Sequence, residues 1–225
     1  MCGRYAQRTD PKRLAKELKV AEVPEVKPRY NIAPTQEVLA VRGSADDREA
    51  TFFRWGLVPS WAKDSSMGAK LINARSETVE EKPSFRDAFR RRRCVIPADG
   101  FYEWARDGRG KKQPYYFRMR DDRPFGFAGL WERWEREGQV INSCAILTTE
   151  ANEVLRPVHD RMPVILHPHD YALWLEGGER EQALLRELLR PYPAGEMVTH
   201  PVSALVNSPS NNGAELIEEM RLNSA

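Results

Sequence analysis

A series of short strand-like runs, each ended by a turn signal, constrains this chain more than any other feature. The runs are Val38–Arg42, Thr51–Val58, Cys94–Trp104, Tyr115–Met119, Phe125–Trp134, Val140–Thr149, Met162–Leu166 and Met197–Val202. They are rich in β-branched and aromatic residues and bounded by Gly, Pro, Asn and Asp. Gly43–Glu49 and Asp107-Gly108-Arg109-Gly110 read as connecting turns, the second a hairpin signal. Helical patterns are few and scattered. One opens at Asp10-Pro11 and runs through Leu14, Leu18 and Val20, with Asp as cap and Pro in the first turn. Others are expected at Ser84–Arg92 (capped by Ser84), Asp170–Leu175, Glu179–Leu189 and Ala214–Met220. Residues 22–36 carry Pro24, Pro28 and Pro34 and cannot form a regular helix, and residues 59–70 read as a loop. Many strands with separate helices predict an α+β fold with mixed, largely antiparallel sheets. No linker divides residues 1–225, so a single domain is expected, within the size one core supports.

Lys+Arg 35 against Asp+Glu 33 leaves a net charge of +2, which selects no partner by itself. The arginines Arg86, Arg90, Arg91, Arg92 and Arg93 cluster, as a solvated helix face or as a phosphate-facing patch. Three cysteines without a pairing pattern, and without CxxC, make neither a disulfide framework nor a zinc site. His167 and His169 lack further ligands at metal spacing and read as surface residues, and no cofactor is implied. With no secretory leader or membrane-length apolar run, a cytoplasmic location is expected, with reduced thiols and no membrane partner.

Chemistry is suggested first by Met1-Cys2-Gly3-Arg4. Removal of the initiator methionine would leave Cys2 as a 1,2-aminothiol, with reference pKa values of about 7.7–8.0 for the amine and about 8.5 for the thiol. An aldehyde condenses with such an amine to an imine, which the sulfur closes to a thiazolidine. Gly3 permits a close turn and Arg4 adds a fixed cation. The other reading is an incidental cysteine on a frayed end. Asn73 follows the apolar pair Leu71-Ile72. Glu103, flanked by Phe101, Tyr102 and Trp104, is either a buried acid with a raised pKa or the solvent-facing member of a strand. His159 is either a surface residue or a functional one, its tautomer fixed by Asp160, with Arg161 alongside for an anion. Six tryptophans (Trp55, Trp61, Trp104, Trp131, Trp134, Trp174) interleave with arginines, a combination suited to stacking unpaired bases, although most are expected in the core.

The ordered motifs Met-Cys-Gly-Arg-Tyr, Tyr30-Asn31-Ile32-Ala33-Pro34-Thr35, Arg54–Trp61, Asn73–Thr78, Cys94–Trp104 and His159–Pro163 resemble the SRAP (SOS response-associated peptidase) family. The resemblance implies one SRAP domain with a barrel-like β core and peripheral helices. It also implies a monomer that binds single-stranded DNA and crosslinks itself covalently to abasic sites during the DNA damage response, associating with the nucleoid when bound. By that resemblance Cys2 is the nucleophile and Asn73 positions the terminus or the sugar. Glu103 handles protons during imine formation and ring closure, and His159 assists sugar ring opening. Arg4, Arg75 and Arg161 would hold phosphates, with Trp61 and Pro34 beside the bases. Ring closure would divert the imine from strand-breaking, lyase-type elimination. Two other readings remain: a Cys2-dependent peptidase with His159 as base, and a non-covalent reader of modified bases.

Overall fold

The computed structural model describes residues 2–44, 47–106, 110, 112–176 and 182–220. In chain order the strands are β1 (Tyr5–Gln7), β2 (Arg29–Ile32), β3 (Glu37–Gly43), β4 (Arg48–Trp55), β5 (Asn73–Arg75), β6 (Arg93–Ala98) and β7 (Gly100–Arg106). They continue with β8 (Lys112–Met119), β9 (Phe125–Arg136), β10 (Gln139–Glu150), β11 (Arg161–Pro163), β12 (Ile165–Leu166) and β13 (Met197–Pro201). The α-helices are short: α1 (Pro11–Leu18), α2 (Arg86–Arg91), α3 (Tyr171–Glu176) and α4 (Gln182–Glu187). The expected α+β class is the observed one.

Five strands close on themselves in the order β10-β4-β3-β6-β9, the ring completed by the long β9–β10 pairing from Gln139↔Arg136 to Ile146↔Gly129. Every pairing in the ring is antiparallel except β4–β10. A second, antiparallel sheet runs β13-β8-β7-β1-β2 and packs against the first. Side chains alternate along the ring strands. Trp55, Cys94, Ile96, Phe127, Cys144 and Ile146 pack with Cys2, Tyr5, Phe101 and Phe117 from the N-terminus and second sheet. Leu39, Val41, Leu130, Ala145 and Leu147 face the other way, against Leu14, Phe89 and Trp174 of the helices. Both faces are covered along β3, β6 and the inner halves of β9 and β10, which read as continuous apolar runs without polar alternation, whereas β4 is partly exposed.

Several boundaries differ from expectation, each for a local reason. Cys94–Trp104 is two strands broken at Asp99, whose carboxylate accepts from Arg8 N–H (2.5 Å), Thr9 N–H (2.9 Å) and the Thr9 hydroxyl. The chain changes sheets at that residue. Met162–Leu166 is likewise split into β11 and β12. The second helix begins with Phe85 as N-cap and no side-chain cap bond, so Ser84 does not cap it. Asp10 does cap α1, accepting from Lys12 N–H at 2.9 Å. Residues 59–70 include a 3-10 helix at Ser65–Lys70, and the last expected helix is a single 3-10 turn, Ala214–Ile217. The hairpin signal at 107–109 and the start of the helix expected at 179 lie outside the described residues.

Gly56, at φ +132°, leads from β4 into the loop that delivers β5 to the site. Its N–H donates to Cys144 O at 2.8 Å, and a Cβ there would lie 2.6 Å from Gly68 O. Gly56→Ala combines backbone strain with overpacking and is expected to cost about 3 kcal/mol. An unchanged melting midpoint would contradict this.

Candidate active site around Cys2

Three short pieces of backbone bring the site together. Residues 2–4 lead into β1, which pairs with β7; Tyr102 N–H donates to Arg4 O at 3.0 Å, setting Glu103 beside the N-terminal segment. The segment β5 lies parallel to β10 (Asn73↔Ile146) and is fixed from beneath by the Trp55 indole N–H, which donates to Ile72 O at 2.9 Å. His159 lies just before β11, its N–H donating to Leu155 O at 3.0 Å.

Cys2 is fully buried. The Asn73 side-chain amide donates to its carbonyl at 2.9 Å, tying β5 to the N-terminal segment. Asn73 Oδ1 is buried and has no hydrogen-bond partner among the described residues. The Cys2 thiol points at Arg4 O, 4.0 Å away. Burial pushes the thiol pKa up, and the neighbouring Glu103 charge pushes it further, so the sulfur rests as a neutral thiol. Glu103 is only 4% exposed, and burial raises its pKa; nearby cationic character, including His159, acts in the opposite direction. Of the two readings left open by the sequence, the buried acid is the observed one.

Glu103 and His159 share an open cleft of about 510 Å³ with Trp104, Arg106, Lys112 and Asn207. Arg161 N–H donates to His159 Nδ1 at 2.9 Å, which fixes the neutral ring with its proton on Nε2. Asp160 Oδ1 lies equally close to Nδ1, but that nitrogen cannot both accept from the amide and donate to the carboxylate. Asp160 is highly exposed, so the backbone amide, rather than the carboxylate expected from the sequence, sets the tautomer; Asp160 becomes the partner of the protonated ring.

The expected phosphate-binding arginines differ in their surroundings. Arg75 is exposed. Arg161 forms a bidentate pair with Glu77 (2.5 and 2.9 Å) and donates to Thr148 O at 2.6 Å, and its guanidinium holds the Glu77 carboxyl below the usual range. Arg4 donates to Asn31 Oδ1 (2.8 Å) and Val206 O (2.7 Å) and lies 6.0 Å from the Trp104 ring centroid. Trp61 is 55% exposed and Pro34 half-buried. Trp55, Trp134 and Trp174 are core residues, three of the six where most were expected to be, and Trp104 and Trp131 are half-buried. Sequence reasoning assigned no role to Asn207 or Lys112, took Arg106 only as one of the arginines interleaved with the tryptophans, and met Asn31 only as part of the Tyr30–Thr35 motif in the Pro-rich connector. Among the described residues no group of His, Cys, Asp and Glu is arranged to hold a metal ion. No helix among them is long and apolar enough to cross a membrane.

A family model described as SOS response associated peptidase (SRAP) matches residues 1–209. The chain belongs to the SRAP family. Among curated SRAP relatives, the abasic site processing protein YoqW of Bacillus subtilis is 42% identical over 222 residues, covering 97% of this chain and 99% of the relative. YoaM of the same organism, also named an abasic site processing protein, is 46% identical over 196 residues, covering 86% of each chain. The abasic site processing protein HMCES of Gallus gallus is 35% identical, covering 87% of this chain and 67% of the longer relative. A crystal structure of a Bordetella bronchiseptica protein superposes with a TM-score of 0.75 at 32% identity, covering 90% of this chain and all of that one. A Bacteroides thetaiotaomicron structure reaches 0.87 over 98% of this chain and all of that one; at 24% identity it speaks for the fold alone.

Proposed function

We propose that this SRAP chain processes abasic sites in DNA, holding the lesion in single-stranded form and joining it covalently to Cys2 as a thiazolidine. The observation that carries the reading is the 2.9 Å hydrogen bond from Asn73 to the Cys2 carbonyl, which fixes the N-terminal residue beside a buried acid. The names of the relatives supply the substrate class.

The chemistry requires a free Cys2 amine, hence loss of Met1. The abasic sugar must first open: its C1 hydroxyl loses a proton, the ring oxygen gains one, and the aldehyde appears. His159 lines the cleft as the group that moves this proton. The neutral amine then adds to the aldehyde carbon, giving a carbinolamine whose hydroxyl Asn73 Oδ1 is available to accept. Glu103, made a weaker acid by burial, donates a proton to that hydroxyl, which leaves as water, and takes one back from the iminium nitrogen to give the imine. The thiol finally gives up its proton, sulfur bonds to the imine carbon, and the former imine nitrogen takes a proton. One water is lost overall. A thiol that rests neutral suits this order, because the amine acts first and the sulfur closes a ring already in reach. Outside the reacting atoms, Arg75 is exposed for a phosphate and Trp61 for stacking, while Arg161 would exchange Glu77 for phosphate.

The test is denaturing electrophoresis after mixing the protein with a single-stranded oligonucleotide containing one abasic site. Protein lacking Met1 is expected to give a heat-stable band with the mass of protein plus DNA minus water. Cys2→Ala and protein retaining Met1 should give none. No band from protein with a demonstrably free Cys2 amine would reject the proposal. Hydrolysis of peptides by protein whose amine is blocked would favour the peptidase reading.

A further inference from the structure

We infer that Asn31 is a positioning residue for the Cys2 reaction, acting through Arg4; the inference rests on the function proposed above. Asn31 comes from β2, at 3% exposure, and its side chain is saturated. Oδ1 accepts from Arg4 Nη1 at 2.8 Å. Nδ2 faces three backbone carbonyls: Val206 at 3.2 Å, Ser208 at 2.9 Å and Asn211 at 2.8 Å. A guanidinium only donates and a carbonyl only accepts, so these partners fix the amide orientation without ambiguity.

The same groups enclose Arg4. Val206 O accepts from Arg4 Nη1 as well as from Asn31, so one asparagine holds both the guanidinium and the segment that clamps it. Trp104 covers Arg4 from the cleft side and donates its indole N–H to Asn207 Oδ1 at 2.7 Å. Arg4 is two residues from Cys2, and its carbonyl receives both Tyr102 N–H and the Cys2 thiol. The N-terminal segment is therefore held at three points: by Asn73 at the Cys2 carbonyl, by Tyr102 N–H at the Arg4 carbonyl and by Asn31 at the Arg4 side chain. With Asn31 truncated, Arg4 keeps only Val206 O, on a segment that has lost its own tie, and residues 2–4 shift about the two remaining points. A shift of about 1 Å between amine and aldehyde is enough to slow a reaction by about 100-fold.

The experiment compares Asn31→Ala and Asn31→Ser, each alone and in an Arg4→Ala background, all without Met1, in single-turnover crosslinking at saturating abasic oligonucleotide. Affinity for the undamaged oligonucleotide and the melting temperature are measured alongside. Alanine and serine are too short to reach Arg4, and an effect that runs through Arg4 disappears once Arg4 is truncated. The expected result is a crosslinking rate 10- to 100-fold lower for Asn31→Ala, with affinity for undamaged DNA within about threefold of the parent, and less than about a twofold further loss when Asn31→Ala is added to Arg4→Ala. If Asn31→Ala does not fold, Asn31→Ser makes the same comparison. A folded Ala or Ser variant as fast as the parent, or one that slows Arg4→Ala as much as it slows the parent, overturns the inference. A parallel reaction with formaldehyde, read as the thiazolidine mass shift at Cys2, separates the two proposals. If the parent reacts with formaldehyde but not with abasic DNA, the proposed function fails, while the Asn31 series still reports how the terminus is held.

Discussion

Glu103→Gln is expected to slow crosslinking by two to four orders of magnitude, the usual range for a lost general acid, while making the fold more stable at neutral pH. The two effects have one cause. Glu103 is buried, and burial raises its pKa above that of the unfolded chain. The folded state thus binds the Glu103 proton more tightly than the unfolded state. That advantage is complete below the unfolded carboxylate value of about 4.3 and is lost as pH rises through the folded pKa. Glutamine keeps the shape without the ionisation, so its stability gain over the parent should be largest above that point and fade toward pH 4. The rate profile should change with it. The parent rate should rise as the Cys2 amine loses its proton and fall as Glu103 does; in Glu103→Gln the second limb should disappear. Denaturant midpoints across pH and single-turnover rates check both halves. Parent-like crosslinking in Glu103→Gln would remove Glu103 from the mechanism.

Trp55→Ala is expected to destabilise the protein by about 3–5 kcal/mol, a large part of the 5–15 kcal/mol that holds a domain of this kind together. The ring is fully buried between the sheets, edge-on to Tyr5 at 5.3 Å, and its indole N–H donates to Ile72 O. Truncation opens a cavity under β1 and leaves the Ile72 carbonyl with one donor, Ile146 N–H, instead of two. Trp55→Phe separates the contributions: most of the packing remains and the hydrogen bond goes, for a loss of about 1–2 kcal/mol. Because Ile72 carries Asn73, Trp55→Phe should also slow crosslinking in protein that is still folded. A loss below 1 kcal/mol in Trp55→Ala, read from urea midpoints, would contradict this account of the core.

The strand runs were legible because β3, β6 and the inner halves of β9 and β10 are covered on both faces, which leaves apolar stretches between clear turn signals. The break at Asp99 was not legible, since its cause is Thr9, some ninety residues away, whose amide and hydroxyl claim the carboxylate. Strands β1 and β5 are three residues each and exist only because neighbours pair with them. At the site, residue types were readable and their partners were not. Glu103 among aromatics suggested a buried acid beside a solvent-facing alternative, and only the packing of β1 on β7 decides between them. The His159 tautomer depends on the Arg161 backbone amide, which no pattern of side chains reveals. Asn31 has a place because the chain returns to it at Val206–Asn211, far along the sequence.

The most direct test of the central claim is a count of free thiols in the purified DNA adduct under denaturing conditions. The chain has three cysteines, Cys2, Cys94 and Cys144, and all are free thiols in the fold. An open imine and a thiazolidine have the same mass, but only the thiazolidine consumes sulfur. The account predicts three thiols in the free protein and two in the adduct. An adduct that still titrates three would contradict it.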